Sequence, residues 1–346
     1  KKLTVELYKT TEAAREAFPL VKEIADLKAV EPKIPTTMVL SEKQQPRETR
    51  IHKRGNFLDQ GDRVVPQVPS VLHSLAGEAS EATRLDFARW LVDAANPLTP
   101  RVIVNRYWQR FFGRGIVETS EDFGSQGALP CRPAVLDWIA VELIDSGWDL
   151  KRLLKLYVTS STYRQSSRLT DRALARDPDN VWLSRGPRYR LSAEMIRDQA
   201  LSVAGLLNDT MHGPSVRPPQ PKSGQRAAFG GSVDWDPSPG GDRYRRGLYT
   251  YWRRTNPYPS LTTFDAPSRE FCTVRRIRTN TPLQALVTLN DPVFVEAAQA
   301  FGRLYVDDPA DLRDRLRSAF RRALAREASV SETDALQALY GDCLRH

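Results

Sequence analysis

Residues 263–292 constrain the fold most, because charged and apolar side chains alternate there at close spacing. Phe271, Val274 and Ile277 stand directly among the charges. Apolar side chains gain nothing from an exposed position, so the pattern predicts a buried or half-buried segment. A buried charge is unfavourable unless it is paired or used in binding. The segment therefore predicts either a hub of salt bridges or a polar pocket.

Two functional hypotheses follow from that choice. In the first, the charges form a buried salt-bridge hub in an accessory domain that binds or supports its neighbours. In the second, they line the pocket of an enzyme that acts on anionic or sulfated polysaccharide. A hub predicts that every charge is paired, whereas an enzyme predicts an open cleft with an unpaired carboxylate of shifted pKa. Both hypotheses concern the same candidate residues: Asp265, Arg269, Glu270, Cys272, Arg275, Arg276, Asn280, Arg106, Glu194 and Asp198.

Glu194 and Asp198 lie four residues apart on one face of a predicted helix, with Arg197 between them. Paired carboxylates on one face can act as acid and base or hold a metal. Acids near a helix start also interact well with the helix dipole and with a neighbouring Arg. The sequence favours this second, structural interpretation.

A predicted helix over residues 100–112 carries apolar residues on nearly every side, which indicates a central, buried helix. Its Arg106 and Arg110 therefore need partners. The nearest acids in the sequence are Glu118, Glu121 and Asp122.

The charge balance bears on the partners. Lys and Arg outnumber Asp and Glu by 51 to 42, which gives a net charge of +9. This excess favours anionic partners such as carboxylated or sulfated polysaccharide, nucleic acid or an acidic cell surface. Nucleic acid is the least expected of these, because no recognised nucleic-acid-binding motif occurs. No apolar run approaches the length of a transmembrane helix, so no transmembrane segment is predicted.

The metal-binding and redox-active residue types are few. The chain has four His and three Cys, and Cys131, Cys272 and Cys343 are far apart. This pattern argues against a disulfide framework, a Cys/His metal site and a Cys-x-x-Cys-His haem attachment. No nucleotide-binding glycine loop or hydrolase motif occurs either, so no cofactor or metal is predicted in this chain. The cysteines are expected to be packed free thiols. A thiol made reactive by the arginines near Cys272 is the less favoured alternative.

Apolar periodicity predicts a mainly α fold, an irregular multi-helix bundle with a few short strands and long ordered loops. Helices are predicted over residues 11–30, 83–95, 100–112, 133–146, 149–161, 193–207, 282–290, 293–306, 311–326 and 332–344, the last with Ser331 as its cap. Residues 36–69 predict a small hairpin, and residues 248–253 predict a short strand.

The domain organisation is predicted from the same pass along the chain. Residues 1–34 are expected to end a preceding domain or to form a linker helix, and residues 35–346 to form one helical domain. The start at Lys1, with no Met or signal peptide, predicts a segment of a longer protein. A Gly/Pro-rich loop over residues 208–242 is long enough to be functional or mobile. Trp235 in it, flanked by Asp234 and Asp236, suits stacking on a sugar or a base.

Several long motifs match one family pattern. They are PTTMVLSE at residues 35–42, RLDFARWLVDAANPLTPRVIVNRYWQRFFGRGIVETSEDFGSQG at 84–127, LDWIAVELIDSGWDLKRLLKLYVTSSTYRQSS at 136–167, RLSAEMIRDQALSVAGLL at 190–207, RYRRGLYTYWRRTNP at 243–257 and FDAPSREFCTVRRIRTNTPLQALVTLNDPVFVEAA at 264–298. From about residue 35 onward the chain thus resembles the planctomycete-specific domain of unknown function found C-terminal in planctomycete cytochrome-c-like multidomain proteins.

The resemblance implies a context more than a mechanism. It implies an extracytoplasmic domain, in the periplasm or at the cell surface, whose partners include neighbouring domains of the parent protein. Any haem c would then belong to another domain, and an enzyme of this kind would pass electrons to it. The family offers no established catalytic residues to transfer. The sequence departs most from the family pattern in residues 208–242.

Overall fold

The computed structural model describes residues 12–30, 36–43, 47–77, 82–221, 235–253 and 256–345. It is 45% helical and 4% strand, which confirms the mainly α prediction. The helices are α1 Glu12–Ala29, α2 Arg84–Leu91, α3 Thr99–Phe112, α4 Pro133–Asp145, α5 Leu150–Thr159, α6 Asp171–Arg176, α7 Ala193–Val203, α8 Pro259–Thr263, α9 Pro282–Asn290, α10 Pro292–Arg303, α11 Leu312–Leu324 and α12 Val330–Cys343. The strands are β1 Thr49–His52 and β2 Gln60–Val64.

The chain divides into two compact units, Lys1–Asp93 and Ala94–His346. The predicted boundary near residue 35 remains a prediction. In the first unit, β1 and β2 form the predicted antiparallel hairpin, in which Thr49 pairs with Val64. Helix α2 begins with a capping box between Thr83 and Asp86.

The first hydrophobic cluster of the second unit is built on α3, α4 and α5. Pro100 occupies the first turn of α3, a position that needs no backbone donor. The hydroxyl of Tyr157 on α5 donates to the carbonyl of Val104 on α3 at 3.2 Å. Helices α4 and α5 form the predicted hairpin, and its turn contains Gly147 and Trp148 at positive φ.

A second cluster joins α7, α8 and α10 around Tyr258, Leu261 and Phe264. Helices α11 and α12 pack against each other as the predicted terminal pair. The cap of α12 is Ser329, in a capping box with Glu332, and not the predicted Ser331. Ser329 suits this role better because it lets Glu332 reach back to the free backbone donors at the helix start.

The predicted strand over residues 248–253 does not form. Gly247–Tyr249 is a short 3-10 turn, followed by an isolated bridge between Val216 and Thr250. The backbone donors of Val216 and Tyr251 each find an acceptor across that bridge at 2.8 Å. One bridge meets the local hydrogen-bonding need, so the aromatic pattern does not extend into a strand.

Candidate functional site

A cleft of about 700 Å³ opens in the second unit, a size typical of ligand sites. Its walls come from the end of α3 with the loop after it, from residues 169–189 and from residues 274–278. Its charged lining is Arg110, Arg114, Arg185, Arg188, Arg275, Arg276 and Arg278, with Glu118 and Asp179 as the acids. We call this feature the arginine cleft.

One wall depends on a glycine at the end of α3. Gly113 has φ of 82°, a left-handed conformation that glycine adopts without strain. A Cβ at this position would lie 2.7 Å from the ring of Tyr189. The hydroxyl of Tyr189 donates to the carbonyl of Arg110 at 2.5 Å. Gly113 therefore lets the Tyr189 ring close against the end of α3.

Tyr189 in turn positions a cation. The guanidinium carbon of Arg278 lies 4.3 Å from the centroid of the Tyr189 ring, within the range of a cation–π interaction. Burial raises the pKa of the Tyr189 hydroxyl, against the opposing effect of Arg278. Tyr189 therefore stays neutral and keeps its proton for the bond to Arg110.

Some arginines of the cleft have carboxylate partners. Arg114 pairs with Glu118 at 2.6 Å, four residues further along the chain. Arg275 contacts Glu121 at 3.1 Å, and Arg276 contacts Glu194 at 2.6 Å. These pairs neutralise part of the lining.

The pKa of Glu194 reflects its salt bridge with Arg276. Burial alone raises the pKa of Glu194, but hydrogen bonds from Arg276 and from the backbone hold that pKa below its usual value. Glu194 is therefore ionised at neutral pH and serves as the counter-ion of Arg276.

Other arginines of the cleft have no carboxylate within salt-bridge distance among the described residues. They are Arg110, Arg185, Arg188 and Arg278. The predicted pairing of Arg106 and Arg110 with Glu118, Glu121 or Asp122 does not occur. Glu118 instead pairs with Arg114, four residues before it, and Glu121 pairs with Arg275, 154 positions away in the sequence.

The pKa of Arg278 reflects the positive charges around it. Burial lowers the pKa of Arg278, and the nearby cations Arg110, Arg190 and Arg276 lower it further. Like charges held together with few counter-ions attract an anion. Such a group can bind carboxylate, sulfate or phosphate through charge-assisted hydrogen bonds.

Asp265 lies outside the cleft, in a structural arrangement that we call the Asp265 clasp. Its carboxylate forms a short salt bridge with Arg190 and accepts the backbone N–H of Thr279 at 2.8 Å. The Thr279 hydroxyl also donates to it, at 2.9 and 3.0 Å. Arg190 adds hydrogen bonds to three backbone carbonyls, those of Thr279, Leu191 and Phe264. The clasp ties the two ends of residues 265–279 together.

Glu194 and Asp198 do not converge on one point. Asp198 accepts the backbone N–H of Gly247 at 2.6 Å and lies 3.8 Å from Arg197. Burial raises the pKa of Asp198, although those two partners oppose the shift. Arg197 is buried and donates to the carbonyls of Arg243 and Arg245. The arrangement supports the structural interpretation of this carboxylate pair.

The remaining predicted site residues lie apart from the cleft. Arg269 stacks over Trp252 at 4.8 Å. Glu270, Cys272, Asn280 and Arg106 are exposed and do not line the cleft.

The prediction that residues 263–292 are buried or half-buried is correct for Phe264, which is buried, and for Val274, which is half-buried, but it is wrong for Phe271 and Ile277. Phe271 and Ile277 are 71% and 76% exposed. All three cysteines are exposed, so the expectation of packed thiols is wrong as well. Residues 266–280 form no helix or strand, and such segments run over the surface where backbone polar groups reach water.

Trp235 is structural, contrary to the prediction of a stacking residue. Its indole N–H donates to the carbonyl of Pro218 at 2.6 Å. Its ring stacks on Tyr258 at 5.6 Å and packs against the second hydrophobic cluster. Asp234 and residues 222–233 of the predicted loop lie outside the described residues.

Sequence reasoning missed Arg185, Arg188, Tyr189 and Arg190. The signal that could have found them is the run RGPRYR at residues 185–190, where cations alternate with Pro and Tyr. Across the described parts of the chain, no group of three or more His, Cys, Asp or Glu is placed to hold a metal ion. None of the described helices has the length and apolar character needed to cross a membrane.

Comparison with known proteins gives one match. A family model described as PSD1, Protein of unknown function (DUF1553), matches residues 83–340. No curated protein and no solved structure matches the chain.

Proposed function

The chain belongs to the PSD1 family of proteins of unknown function (DUF1553), and from that premise we propose that it is a binding domain that holds an anionic ligand in the arginine cleft. The observation that carries the proposal is the set of cleft arginines without carboxylate partners among the described residues, Arg110, Arg185, Arg188 and Arg278. A cleft that is cationic and open is complementary to a carboxylated or sulfated polysaccharide.

A binding role agrees with the geometry of the cleft better than a pure salt-bridge hub or an enzyme does. A pure hub would leave no unpaired cation, and the cleft has several. An enzyme would place a carboxylate of shifted pKa in the cleft to act as acid or base. Glu194 and Asp198 are the carboxylates of that kind near α7, and their hydrogen bonds go to Arg276 and Gly247. Of the two acids that line the cleft, Glu118 pairs with Arg114. An enzyme that uses the other acid, Asp179, remains the alternative hypothesis.

The proposal includes a context, which rests on the sequence resemblance. We propose that the domain is part of an extracytoplasmic, cytochrome-c-linked multidomain protein of planctomycetes, with this domain at the C-terminal end. Its neighbouring domains are then its protein partners, and any haem c belongs to one of them.

The test is a binding measurement with a matched charge control. Arg278→Ala removes an unpaired cation from the cleft, whereas Arg303→Ala removes an exposed cation of α10 that does not line it. Binding of tetragalacturonate and of a heparin tetrasaccharide is measured by calorimetry at 50 and 150 mM salt. We expect Arg278→Ala to weaken binding about tenfold to a hundredfold, the loss of one charge-assisted hydrogen bond, and Arg303→Ala to leave it unchanged.

The opposite results would contradict the proposal. Equal losses in the two variants would mean that only net charge matters. No binding of either oligosaccharide, together with no rise in melting temperature, would leave the domain without an anionic glycan ligand.

A further inference from the structure

An exposed aromatic side chain stands on the loop that forms one wall of the arginine cleft. Trp182 is 70% exposed, although its indole is among the largest apolar groups in the chain. The same loop lines the cleft through Asp179, Asn180 and Arg185. The Cα atoms of Asn180 and Trp182 are at most about 8 Å apart, because consecutive Cα atoms are spaced by about 3.8 Å. The backbone of Trp182 therefore lies close to a residue that lines the cleft.

Hydrogen bonds within the loop hold the backbone of Trp182 in place. The buried carboxylate of Asp177 accepts the backbone N–H groups of Val181 and Trp182, both at 2.8 Å. The side-chain amide of Asn180 donates to the carbonyl of Arg185 at 2.9 Å, and Arg185 donates back to the carbonyl of Pro178 at 2.7 Å. Such crossed bonds fix the backbone on both sides of the indole.

The backbone around Trp182 is strained. Asn180 and Leu183 have φ of 53° and 52°, in the left-handed region. Asn tolerates this region, but Leu rarely adopts it. Leu183 packs against the hydrophobic cluster of α3, so the next residue back, Trp182, is turned toward solvent. Strain of this kind persists where surrounding structure imposes it, and it is frequent at ligand sites.

One side of the indole is already occupied. The guanidinium carbon of Arg132 lies 5.6 Å from the centroid of the Trp182 ring, and Arg132 also donates to the carbonyl of Trp182 at 3.1 Å. The high exposure of the residue leaves ring surface free for a ligand. Trp182 is thus a rigid, pre-positioned platform, which lowers the entropy lost on binding.

We propose that Trp182 is a stacking subsite for one sugar ring of an anionic oligosaccharide whose acidic groups occupy the arginine cleft. This inference rests on the proposed function and names its ligand class. Tryptophan combines a large apolar face with a polar edge, which suits the C–H face of a pyranose ring. Asp179 and Gln109 in the cleft provide acceptors for sugar hydroxyl groups.

A single-stranded nucleic acid fits these features less well. Proteins that bind it present several aromatic side chains in succession along a basic groove. Among the aromatic side chains of residues 169–189 only Trp182 is mostly exposed, because Tyr189 is 37% exposed and already stacks with Arg278. A phosphodiester backbone has no hydrogen-bond donors for the carboxylate of Asp179. A glycan has both hydroxyl donors and acidic groups, as the mixed lining requires.

The test compares two exposed tryptophans. Trp138 on α4 is 54% exposed and does not line the cleft, so Trp138→Ala is the matched control for Trp182→Ala. Calorimetry uses whichever of tetragalacturonate and the heparin tetrasaccharide binds the unmodified protein more tightly, with inorganic sulfate and tetrathymidylate as further probes. We expect Trp182→Ala to weaken oligosaccharide binding about tenfold, Trp182→Phe to restore most of it, and sulfate binding to stay unchanged. Trp138→Ala is expected to bind as the unmodified protein does.

Each of the other outcomes would contradict one specific part of the proposal. Equal affinities of the Trp182→Ala and Trp138→Ala variants would contradict the stacking subsite, even if Arg278→Ala still weakens binding. Tighter binding of tetrathymidylate than of either oligosaccharide, lost in Trp182→Ala, would assign the surface to nucleic acid. Oligosaccharide binding that survives Arg278→Ala unchanged would contradict the proposed function itself.

Discussion

The two ends of the segment 265–278 use arginine in opposite ways. At the Asp265 clasp, a cation from outside the segment, Arg190, meets a carboxylate and several carbonyls in a half-buried position. At the arginine cleft, Arg278 stacks on Tyr189 and has no carboxylate partner among the described residues. The comparison separates charges that hold the fold together from charges that remain available to a ligand.

The difference has an energetic meaning. Removing one partner of a paired, desolvated charge leaves the other unpaired, so the clasp should be sensitive to substitution. Clustered like charges repel each other while the cleft is empty, so the cleft should contribute little to stability or oppose it. Sites that bind ligands commonly have this trade-off between stability and function.

The largest expected effect comes from breaking the clasp. Asp265→Ala removes the acceptor of Arg190, whose side chain is 13% exposed, and places Ala at φ of 62°. We expect a loss of about 3 kcal/mol in the free energy of unfolding, measured by urea denaturation, since both an unpaired charge and backbone strain result. Asp265→Asn, which tolerates this φ and keeps an acceptor, should lose less. Glu270→Ala, an exposed acid in the same segment, should change stability by less than about 0.5 kcal/mol, and an equal loss there would remove the special role of the clasp.

The contrast between clasp and cleft could be predicted only in part. Helix α3 and the hairpin of α4 and α5 followed from apolar periodicity and from turn residues at Gly147 and Trp148. These are local patterns, and local patterns are what spacing along a sequence records.

The site lies beyond such patterns because its parts are distant in sequence. Arg190 and Asp265 are 75 positions apart, and Arg275 and Glu121 are 154 apart. The density of charge in residues 263–292 identified Arg275 and Arg276 as candidate site residues. Charge density does not indicate which side chains are buried. Phe271 and Ile277 resemble core residues in the sequence and are exposed in the fold.

A smaller effect is expected at Glu194, which lies between the two regions as the counter-ion of Arg276. Its pKa is lower in the folded protein than its usual value of about 4.5, so ionised Glu194 stabilises the fold above that pH. This contribution is lost as the pH falls through the lower, folded-state pKa. Glu194→Gln should therefore cost about 1 kcal/mol at pH 7, and the difference from the unmodified protein should disappear in strong acid. Urea denaturation of both proteins across pH 2.5–7 measures it, and a difference that is constant over that range would contradict the assignment.

The smallest effect on stability is expected where the effect on binding is large. Arg278→Ala removes a cation–π contact with Tyr189 but also relieves repulsion from Arg110 and Arg276. The two contributions oppose each other, so stability should change by less than about 0.5 kcal/mol. Salt screens the repulsion that the substitution relieves. The free energy of unfolding of the variant, relative to that of the unmodified protein, should therefore be higher at low salt than at 1 M salt. Urea denaturation at both salt concentrations gives the answer. A loss as large as that of Asp265→Ala would mean that Arg278 belongs to the same structural hub as the clasp, and the distinction between the two regions would then fail.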